Sequence, residues 1–227
     1  MNILIVAATK FEILPLLKYL QDNFKQENDS PIFKKDKIEV FVLITGVGMM
    51  HTAFALGNYL GKRPVDLAIN VGIAGAYDRS LEIGEVVHVV SEQLGDLGVE
   101  EQDGSFKDVF EMGLIGSNDQ PFINGKIYNP GASAYKFLKG VDGLTVNRTH
   151  GTQESIDFTQ AKYSAQIETM EGAAFFYACG MVKANFLQLR AISNYVEPRN
   201  KDNWKIPLAI DNVNTAVVQI FEELILE

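Results

Sequence analysis

The feature that most constrains the fold of this chain is an alternation of short apolar runs with longer segments of helical spacing. The first run, residues 2–8, is rich in Ile and Val, which is typical of a strand buried on both faces. The next segment, 12–24, has apolar residues three and four positions apart, as an amphipathic helix does. Because the two patterns keep alternating, the sequence predicts an α/β protein with a mostly parallel sheet.

The same patterns predict the remaining elements of the chain. The expected strands cover 38–45, 66–71, 85–92, 144–149 and 186–193, and the expected helices cover 49–60 and 206–226. Residues 94–131 contain many Gly, Asp and Asn, so we expect a hairpin and a long loop there, followed by a short helix over 134–138. Because no repeat or linker divides the chain, we expect one domain, 1–227.

Charge and composition exclude several classes of function. The net charge is −9 and the Lys and Arg residues are not clustered, so we expect no nucleic-acid partner. The single cysteine, Cys179, and three scattered histidines give no metal-ligand spacing, and we expect no metal and no cofactor. The apolar start has no basic residues before it and no apolar run approaches about 20 residues, so we expect a cytoplasmic protein without a membrane span.

Unusual residues follow the ends of several predicted strands. In open α/β sheets, ligands bind outside the carboxyl ends of the strands. The segments that follow the predicted strands and contain these residues are 9–12, 46–48, 72–75, 149–152, 170–171 and 190–194. The sequence therefore predicts a ligand site at this edge of the sheet.

Two of these segments each allow two interpretations. Glu171 stands where an extended segment passes into the helical run 172–178, so its carboxylate either faces a cleft or caps the helix. Gly46 and Gly48 resemble half of a dinucleotide fingerprint, but His51 replaces the third glycine, which argues against NAD. These glycines either present backbone N–H groups to an anion or a sugar, or form a tight turn between strand and helix.

Five motifs occur in one order, and together they resemble the nucleoside phosphorylase/nucleosidase superfamily. The motifs are TKFE at 9–12, GVG at 46–48, NVGIAG at 70–75, ETMEGAA at 168–174 and LRAISN at 189–194. Within the superfamily, they resemble the hydrolases related to methylthioadenosine/S-adenosylhomocysteine nucleosidase. The resemblance spans the chain except about 94–143. It implies a single-domain α/β/α sandwich with a central mixed, mostly parallel, twisted sheet, and an N-glycosidase that acts on a small nucleoside as a homo-oligomer.

The resemblance also implies roles for the residues around the sugar. Glu12 corresponds to the carboxylate that activates the attacking water, and Arg190 to the arginine near that water. Glu171 corresponds to the residue that binds the ribose hydroxyls, with the Met170 backbone beside it. A carboxylate near the sugar can remove a proton from water, and a second one stabilises the positive charge that develops on the ribose.

Other residues correspond to positions that contact the base or the rest of the substrate. Ala74 and Gly75 correspond to backbone lining the sugar and base, and Gly46 and Thr169 lie in motifs at the substrate. Asn194 stands where adenine-specific nucleosidases carry an aspartate. An asparagine amide offers two N–H donors and cannot easily lose a proton, so it suits the O6 and N7 acceptors of a 6-oxopurine.

The preference for a 6-oxopurine, together with the run 190–200, resembles the futalosine hydrolase subgroup. This implies release of hypoxanthine from futalosine, on the futalosine route to menaquinone. Futalosine carries a benzoate group, for which Arg199, Lys201 and Lys205 are candidate partners. Three alternatives stay open: a methylthioadenosine/S-adenosylhomocysteine nucleosidase, a purine nucleoside phosphorylase, and a non-catalytic nucleoside-binding protein on the same fold.

Overall fold

The computed structural model describes residues 1–28, 30–132 and 138–226. The strands are β1 Asn2–Ala7, β2 Lys25–Gln26, β3 Ile32–Lys35, β4 Ile38–Ile44, β5 Leu67–Ala76, β6 Val86–Leu94, β7 Gly98–Glu100, β8 Phe106–Asp108, β9 Ile127–Tyr128, β10 Lys139–Thr145, β11 Ile167–Thr169 and β12 Phe186–Tyr195. The helices are α1 Leu14–Asn23, α2 Met49–Leu60, α3 Gln153–Lys162, α4 Gly172–Val182 and α5 Ile206–Leu226, with 3₁₀ turns at Phe11–Ile13 and Lys201–Asn203.

The central sheet is mixed, and part of it closes on itself. Its strand order is β11-β10-β6-β12-β5-β1-β4-β3-β2, with β9 on β6, and the pairs around β1 and β10 are parallel. β11 pairs with β10 on one side and, antiparallel, with the last residues of β5 on the other. The predicted fold class is therefore confirmed, and β5, β12, β6, β10 and β11 form a closed ring within it.

The strands next to the centre of the sheet are buried on both faces, because helices cover both sides. In β1, Ile3 and Ile5 pack in the core beneath α1 and α5, whereas Leu4 and Val6 pack in the core beneath α2 and α4. Successive side chains of a strand point to opposite faces. The apolar run at the start of the chain thus contributes to both cores, as its pattern predicted.

β5 differs most from its prediction, since the strand does not end at Val71. It continues through Gly72 and Gly75, which were expected to follow the end of the strand. A Cβ at Gly72 would lie 2.5 Å from Nη1 of Arg190, and one at Gly75 would lie 3.2 Å from Nδ2 of Asn194. Glycine within a strand often marks close approach by another group, and here it makes room for site residues from β12.

The other predictions meet different outcomes. β10 begins at Lys139 and ends at Thr145, so the expected strand over 144–149 was misplaced. α3 was not predicted, because only Ile156 and Thr159 of this helix are buried and it has no apolar stripe. β7 and β8 form the expected hairpin. The helix predicted over 134–138 lies outside the described residues except at its last position, and the domain bounds 1–227 stay a prediction.

Candidate active site

A cavity of about 410 Å³ opens at the carboxyl ends of β1, β5, β11 and β12. It is lined by Ala8, Thr9, Phe11, Glu12, Val47, Ile73, Ala74, Gly75, Thr149, His150, Glu168, Thr169, Met170, Glu171, Ser193, Asn194, Tyr195, Val196, Glu197, Arg199, Trp204, Ile206 and Ile210. All six strand-end segments identified in the sequence contribute to this cavity or lie against its lining residues. Of the nine predicted site residues, seven line the cavity, and Gly46 and Arg190 do not.

The carboxylate of Glu12 is fixed by the turn that begins its own helix. The backbone N–H and the hydroxyl of Thr9 both donate to Oε2 of Glu12 at 3.0 Å. The backbone N–H of Glu12 lies 3.4 Å from the same hydroxyl. Because Oε2 is held in this way, Oε1 is left on the side of Gly72, where a Cβ would lie only 2.9 Å from it.

Arg190 lies behind the cavity wall rather than in it. Its side chain is buried, and its guanidinium donates through Nη2 to Oδ1 of Asn70. Its Nη1 atom and Oε1 of Glu12 both approach the position that a Cβ would occupy at Gly72. A buried guanidinium keeps its charge, so Arg190 places a fixed positive charge beside the carboxylate of Glu12.

Glu171 occupies the N-cap position of α4, yet its side chain does not cap that helix. Oε1 instead accepts a hydrogen bond of 2.9 Å from the backbone N–H of Gly48. Burial raises the pKa of Glu171; the Arg190 charge and the Gly48 hydrogen bond oppose that effect, and the charge of Glu12 adds to it. The interpretation of Glu171 as a capping residue was therefore wrong, and its carboxylate lines the cavity.

Two threonines cap α4 in place of Glu171. The Ala173 N–H donates to Oγ1 of Thr145 at 2.7 Å, and the Gly172 N–H donates to Oγ1 of Thr169 at 3.2 Å. The first amides of a helix lack partners within the helix, so these side chains from β10 and β11 supply them. Thr169, whose contact with substrate stays a prediction, supports the helix that follows Glu171.

The two glycines before α2 have separate structural tasks. Both have positive φ, +89° at Gly46 and +95° at Gly48, where glycine is favoured. The Gly46 N–H donates to the Ala8 carbonyl, and the Gly48 N–H binds Glu171. These amides therefore form a turn and hold a carboxylate, and the cavity lining between them comes from Val47.

Asn194 lies at a bulge in β12, where the pairing with β5 shifts register after Ile192. Its Nδ2 donates to the Tyr195 carbonyl at 2.9 Å, and its Oδ1 accepts from the Ser193 hydroxyl at 2.8 Å. These two contacts fix the orientation of the amide. One N–H of Asn194 is then left for a ligand in the cavity.

A hydrogen-bonded group that sequence reasoning missed forms another wall of the cavity. Tyr77 donates to the Glu168 carboxylate, which also contacts Nδ1 of His150. On the far side of the ring, Nε2 of His150 lies 2.9 Å from Oγ1 of Thr159, which itself donates to the Ser155 carbonyl. Burial raises the pKa of Tyr77 above its usual range. The signals in the sequence were the position of 149–152 in the series of strand ends and the place of Glu168 at the start of the motif 168–174.

Of the three cationic residues proposed for the benzoate group, Arg199 lines the cavity, and Lys201 and Lys205 do not. The guanidinium carbon of Arg199 lies 5.4 Å from the centre of the Trp204 ring, which also lines the cavity. The Arg199 N–H donates to the Gly151 carbonyl at 3.1 Å. Arg199 is thus anchored at the rim by its backbone and by an aromatic face.

Fold and site together define an α/β protein whose ligand cavity, walled by carboxylates, lies at the carboxyl ends of a partly closed sheet. The chain belongs to the phosphorylase superfamily, whose family model matches residues 2–225. A futalosine hydrolase of Thermus thermophilus is 32% identical over 80% of each chain, and a methylthioadenosine/S-adenosylhomocysteine nucleosidase of Colwellia psychrerythraea is 25% identical over 93% of this chain and 91% of its own. The family resemblance inferred from the motifs is confirmed, and so is the prediction that the chain belongs to a family of enzymes.

Solved structures share the fold over nearly the whole length. The structure of futalosine hydrolase from Helicobacter pylori superimposes with a TM-score of 0.78 at 16% identity, covering 98% of both chains. A methylthioadenosine/S-adenosylhomocysteine nucleosidase from the same organism gives a TM-score of 0.79 at 17% identity, again covering 98% of both. Within the described ranges, no helix combines the length and the apolar character needed to cross a membrane.

Proposed function

We propose that the chain hydrolyses the N-glycosidic bond of futalosine and releases hypoxanthine and dehypoxanthine futalosine. The observation that carries the proposal is the combination of Glu12 and Glu171 in one cavity with the fixed amide of Asn194. In this reaction a water oxygen bonds to the anomeric carbon and the bond to the purine nitrogen breaks. The electron pair leaves with the base, the proton of the water goes to Glu12, and the departing base takes up a proton from solvent to give hypoxanthine.

The two carboxylates have different surroundings, which supports different roles. Glu12 is held by Thr9 through one oxygen, so the other oxygen is free to orient a water and take its proton. Glu171 is more deeply buried and is held by the Gly48 N–H through one oxygen. Its carboxylate accepts the ribose hydroxyls and adds negative charge beside the positive charge that develops on the sugar.

The base and the far end of the nucleoside have different partners: the neutral amide of Asn194 for the base and the cationic side chain of Arg199 for the far end. Asn194 donates to the acceptors of a 6-oxopurine, and burying its amide against an amino group would leave a donor unpaired. Arg199 at the rim pairs with the carboxylate of the benzoate group. The neutral base and the charged tail of futalosine thus have separate partners.

The charge of the cavity wall argues against a phosphorylase. Of the described lining residues, Glu12, Glu168, Glu171 and Glu197 are acidic, and Arg199 is basic. A phosphate dianion needs several Arg side chains or N–H groups converging on it. This lining instead favours an attacking water.

The experiment that tests the proposal measures base release from futalosine, inosine and methylthioadenosine, each with and without phosphate. We expect hypoxanthine from futalosine without phosphate, and Glu12→Gln to lose about 10²- to 10⁴-fold in kcat. Adenine release from methylthioadenosine as the main activity would favour the adenine nucleosidase, and a phosphate requirement would favour a phosphorylase. Binding without turnover would favour the non-catalytic protein.

The role of Arg199 has its own test. Arg199→Ala should raise KM for futalosine much more than for inosine, which lacks the benzoate group. Lys201→Ala is the matched control, because Lys201 is a nearby exposed cation outside the cavity lining. An equal rise for both substrates would exclude the proposed pairing.

We also propose that the enzyme acts as a homo-oligomer in the cytoplasm, on the futalosine route to menaquinone. The support for association is an apolar surface at the start of α2, beside Val47 at the cavity: Met50 is 74% exposed and Phe54 is 77% exposed. Apolar patches of this kind are typical of association surfaces. Light scattering of the purified protein should give at least twice the chain mass of 25.2 kDa, and Phe54→Lys should lower it.

A further inference from the structure

Glu92 on β6 is a buried carboxylate that the proposed reaction does not use. Its Oε1 accepts from Nε2 of Gln188 at 2.6 Å, and its Oε2 accepts from Oγ1 of Thr145 at 2.8 Å. A Cβ at Gly143 would lie 2.6 Å from Oε1, and a Cβ at Gly172 would overlap the carboxylate. Two glycines therefore leave the space that this carboxylate fills.

A chain of hydrogen bonds links Glu92 to the start of α4. Oγ1 of Thr145, which donates to Glu92, accepts the Ala173 N–H and lies 3.3 Å from Oγ1 of Thr169. Thr169 in turn accepts the Gly172 N–H. The two amides belong to the residues directly after Glu171, so this network holds the backbone that carries the ribose-binding carboxylate.

We infer that Glu92 is a positioning residue for the ribose-binding segment, which it fixes through the hydroxyl of Thr145. The inference rests on the proposed function, since it gives Glu92 a task in placing Glu171 against the sugar. Glu171 is then constrained twice: its side chain is held by the Gly48 N–H, and the backbone directly after it is held by the two threonines. Constraint of this kind keeps a reacting group within the small tolerance that catalysis requires.

The charges that face Glu92 support the inference. They are Arg190 on β12 and Glu171 at the start of α4, whereas β9 places Ile127 opposite Glu92. Burial raises the pKa of Glu92 to about 7; the hydrogen bonds from Thr145 and Gln188 and the Arg190 charge oppose that effect, and the Glu171 charge adds to it. Ionisation of Glu92 near neutral pH would place its negative charge near the carboxylate of Glu171, the proposed ribose-binding residue.

The first test compares two substitutions at Thr145. Thr145→Val keeps the shape of the side chain but removes the hydroxyl, and Thr145→Ser keeps the hydroxyl. We expect Thr145→Val to lower kcat for futalosine about 10- to 100-fold, and Thr145→Ser to restore most of it. Equal kcat values for the two variants would overturn the role of the hydroxyl.

The second test compares the pH profiles of kcat/KM for the wild type and Glu92→Gln between pH 5 and 9. We expect an inflection near pH 7 in the wild type that Glu92→Gln lacks. A substitution that only loosened the fold would lower the whole profile and keep its shape. Two profiles of the same shape would overturn the role of the Glu92 charge.

A third measurement separates this inference from the proposed function. Hydrogen exchange of the Ala173 amide, followed by NMR without substrate, should be fast in Thr145→Val and slow in Thr145→Ser and the wild type. If the wild type hydrolyses no nucleoside, the proposed function fails, and slow exchange that depends on the hydroxyl still supports the Glu92 network. Equal exchange in all three proteins would overturn the network even if the wild type is active.

Discussion

At the scale of single residues, the site depends on how each carboxylate is surrounded. Glu12 and Glu171 are the same residue type, yet a local turn holds the first and a backbone amide from another element holds the second. The deeper burial of Glu171 raises its pKa, whereas Glu12 lies closer to solvent. Differences of this kind allow two glutamates in one cavity to serve different steps.

The role of Glu171 predicts the effect of removing its charge. Glu171→Gln keeps an oxygen for the Gly48 N–H but removes the negative charge beside the sugar, so we expect kcat for futalosine to fall about 10²- to 10³-fold. Steady-state kinetics provide the measurement, and Glu154→Gln, at an exposed glutamate of α3, is the control. A variant with wild-type kcat would exclude Glu171 from the mechanism.

The amide of Asn194 predicts a change of base preference. Asn194→Asp provides a carboxyl group that, once protonated, both donates to the purine and accepts from its amino group. We expect the ratio of adenosine to inosine hydrolysis to rise, because these nucleosides differ at the purine 6-position. Asn194→Ala should lower both rates together, and an unchanged ratio in Asn194→Asp would place base selection elsewhere.

At the scale of elements, α5 fixes the segment that carries Glu12. Asn214 is 1% exposed, and its Nδ2 donates to the Glu12 carbonyl at 2.8 Å while its Oδ1 accepts from the Leu16 N–H at 3.1 Å. The sequence predicted both helices from their apolar spacing, but a polar residue within α5 joins them. Buried polar groups of this kind are costly to leave unpaired.

The link between α5 and α1 predicts a loss of stability when it is removed. Asn214→Leu leaves the Leu16 N–H and the Glu12 carbonyl without this partner, so the free energy of unfolding should fall by about 2 kcal/mol or more. Thr215→Val, at the next and exposed position of the helix, should change it by less than about 0.5 kcal/mol. Urea unfolding of both variants measures the difference, and similar values would contradict the prediction.

At the scale of the whole molecule, a buried acid makes stability depend on pH. Burial raises the pKa of Glu92 in the folded protein to about 7, whereas the ordinary pKa of glutamate is 4.5. As pH rises from 4.5 to 7, the unfolded chain loses this proton and the folded chain does not, so the free energy of unfolding falls by about 3 kcal/mol. Below pH 4.5 both states are protonated and this loss is absent.

Because glutamine does not ionise, the free energy of unfolding of Glu92→Gln should lack this dependence on pH. The wild type should therefore lose about 2 to 3 kcal/mol more stability than the variant between pH 5 and pH 8. Chemical denaturation of both proteins at the two pH values makes the comparison. A difference that is the same at pH 5 and pH 8 would contradict burial of an ionisable Glu92.

The sequence could predict those features that depend on neighbouring residues. The apolar runs gave β1, β4 and β12, and helical spacing gave α2 and α5, since burial on one or both faces leaves a periodic pattern. The segments after the strands indicated the site, because parallel strands bring their carboxyl ends to one edge. Glu12, Glu171 and Asn194, which line the cavity, were predicted in this way, together with the motifs that carry the family resemblance.

Only the tertiary structure decided which groups meet across long distances in the chain. The glycines of β5 that were expected to follow the strand instead lie within it and make room for Arg190 and Asn194, and Gly172 makes room for Glu92. Closing the ring between β5 and β11 sets Glu168 beside Tyr77, 91 residues away. The physical reason is that the periodicity of apolar residues depends on which positions are buried. Which residues then contact each other depends on how the strands pair, and the periodicity does not specify that pairing.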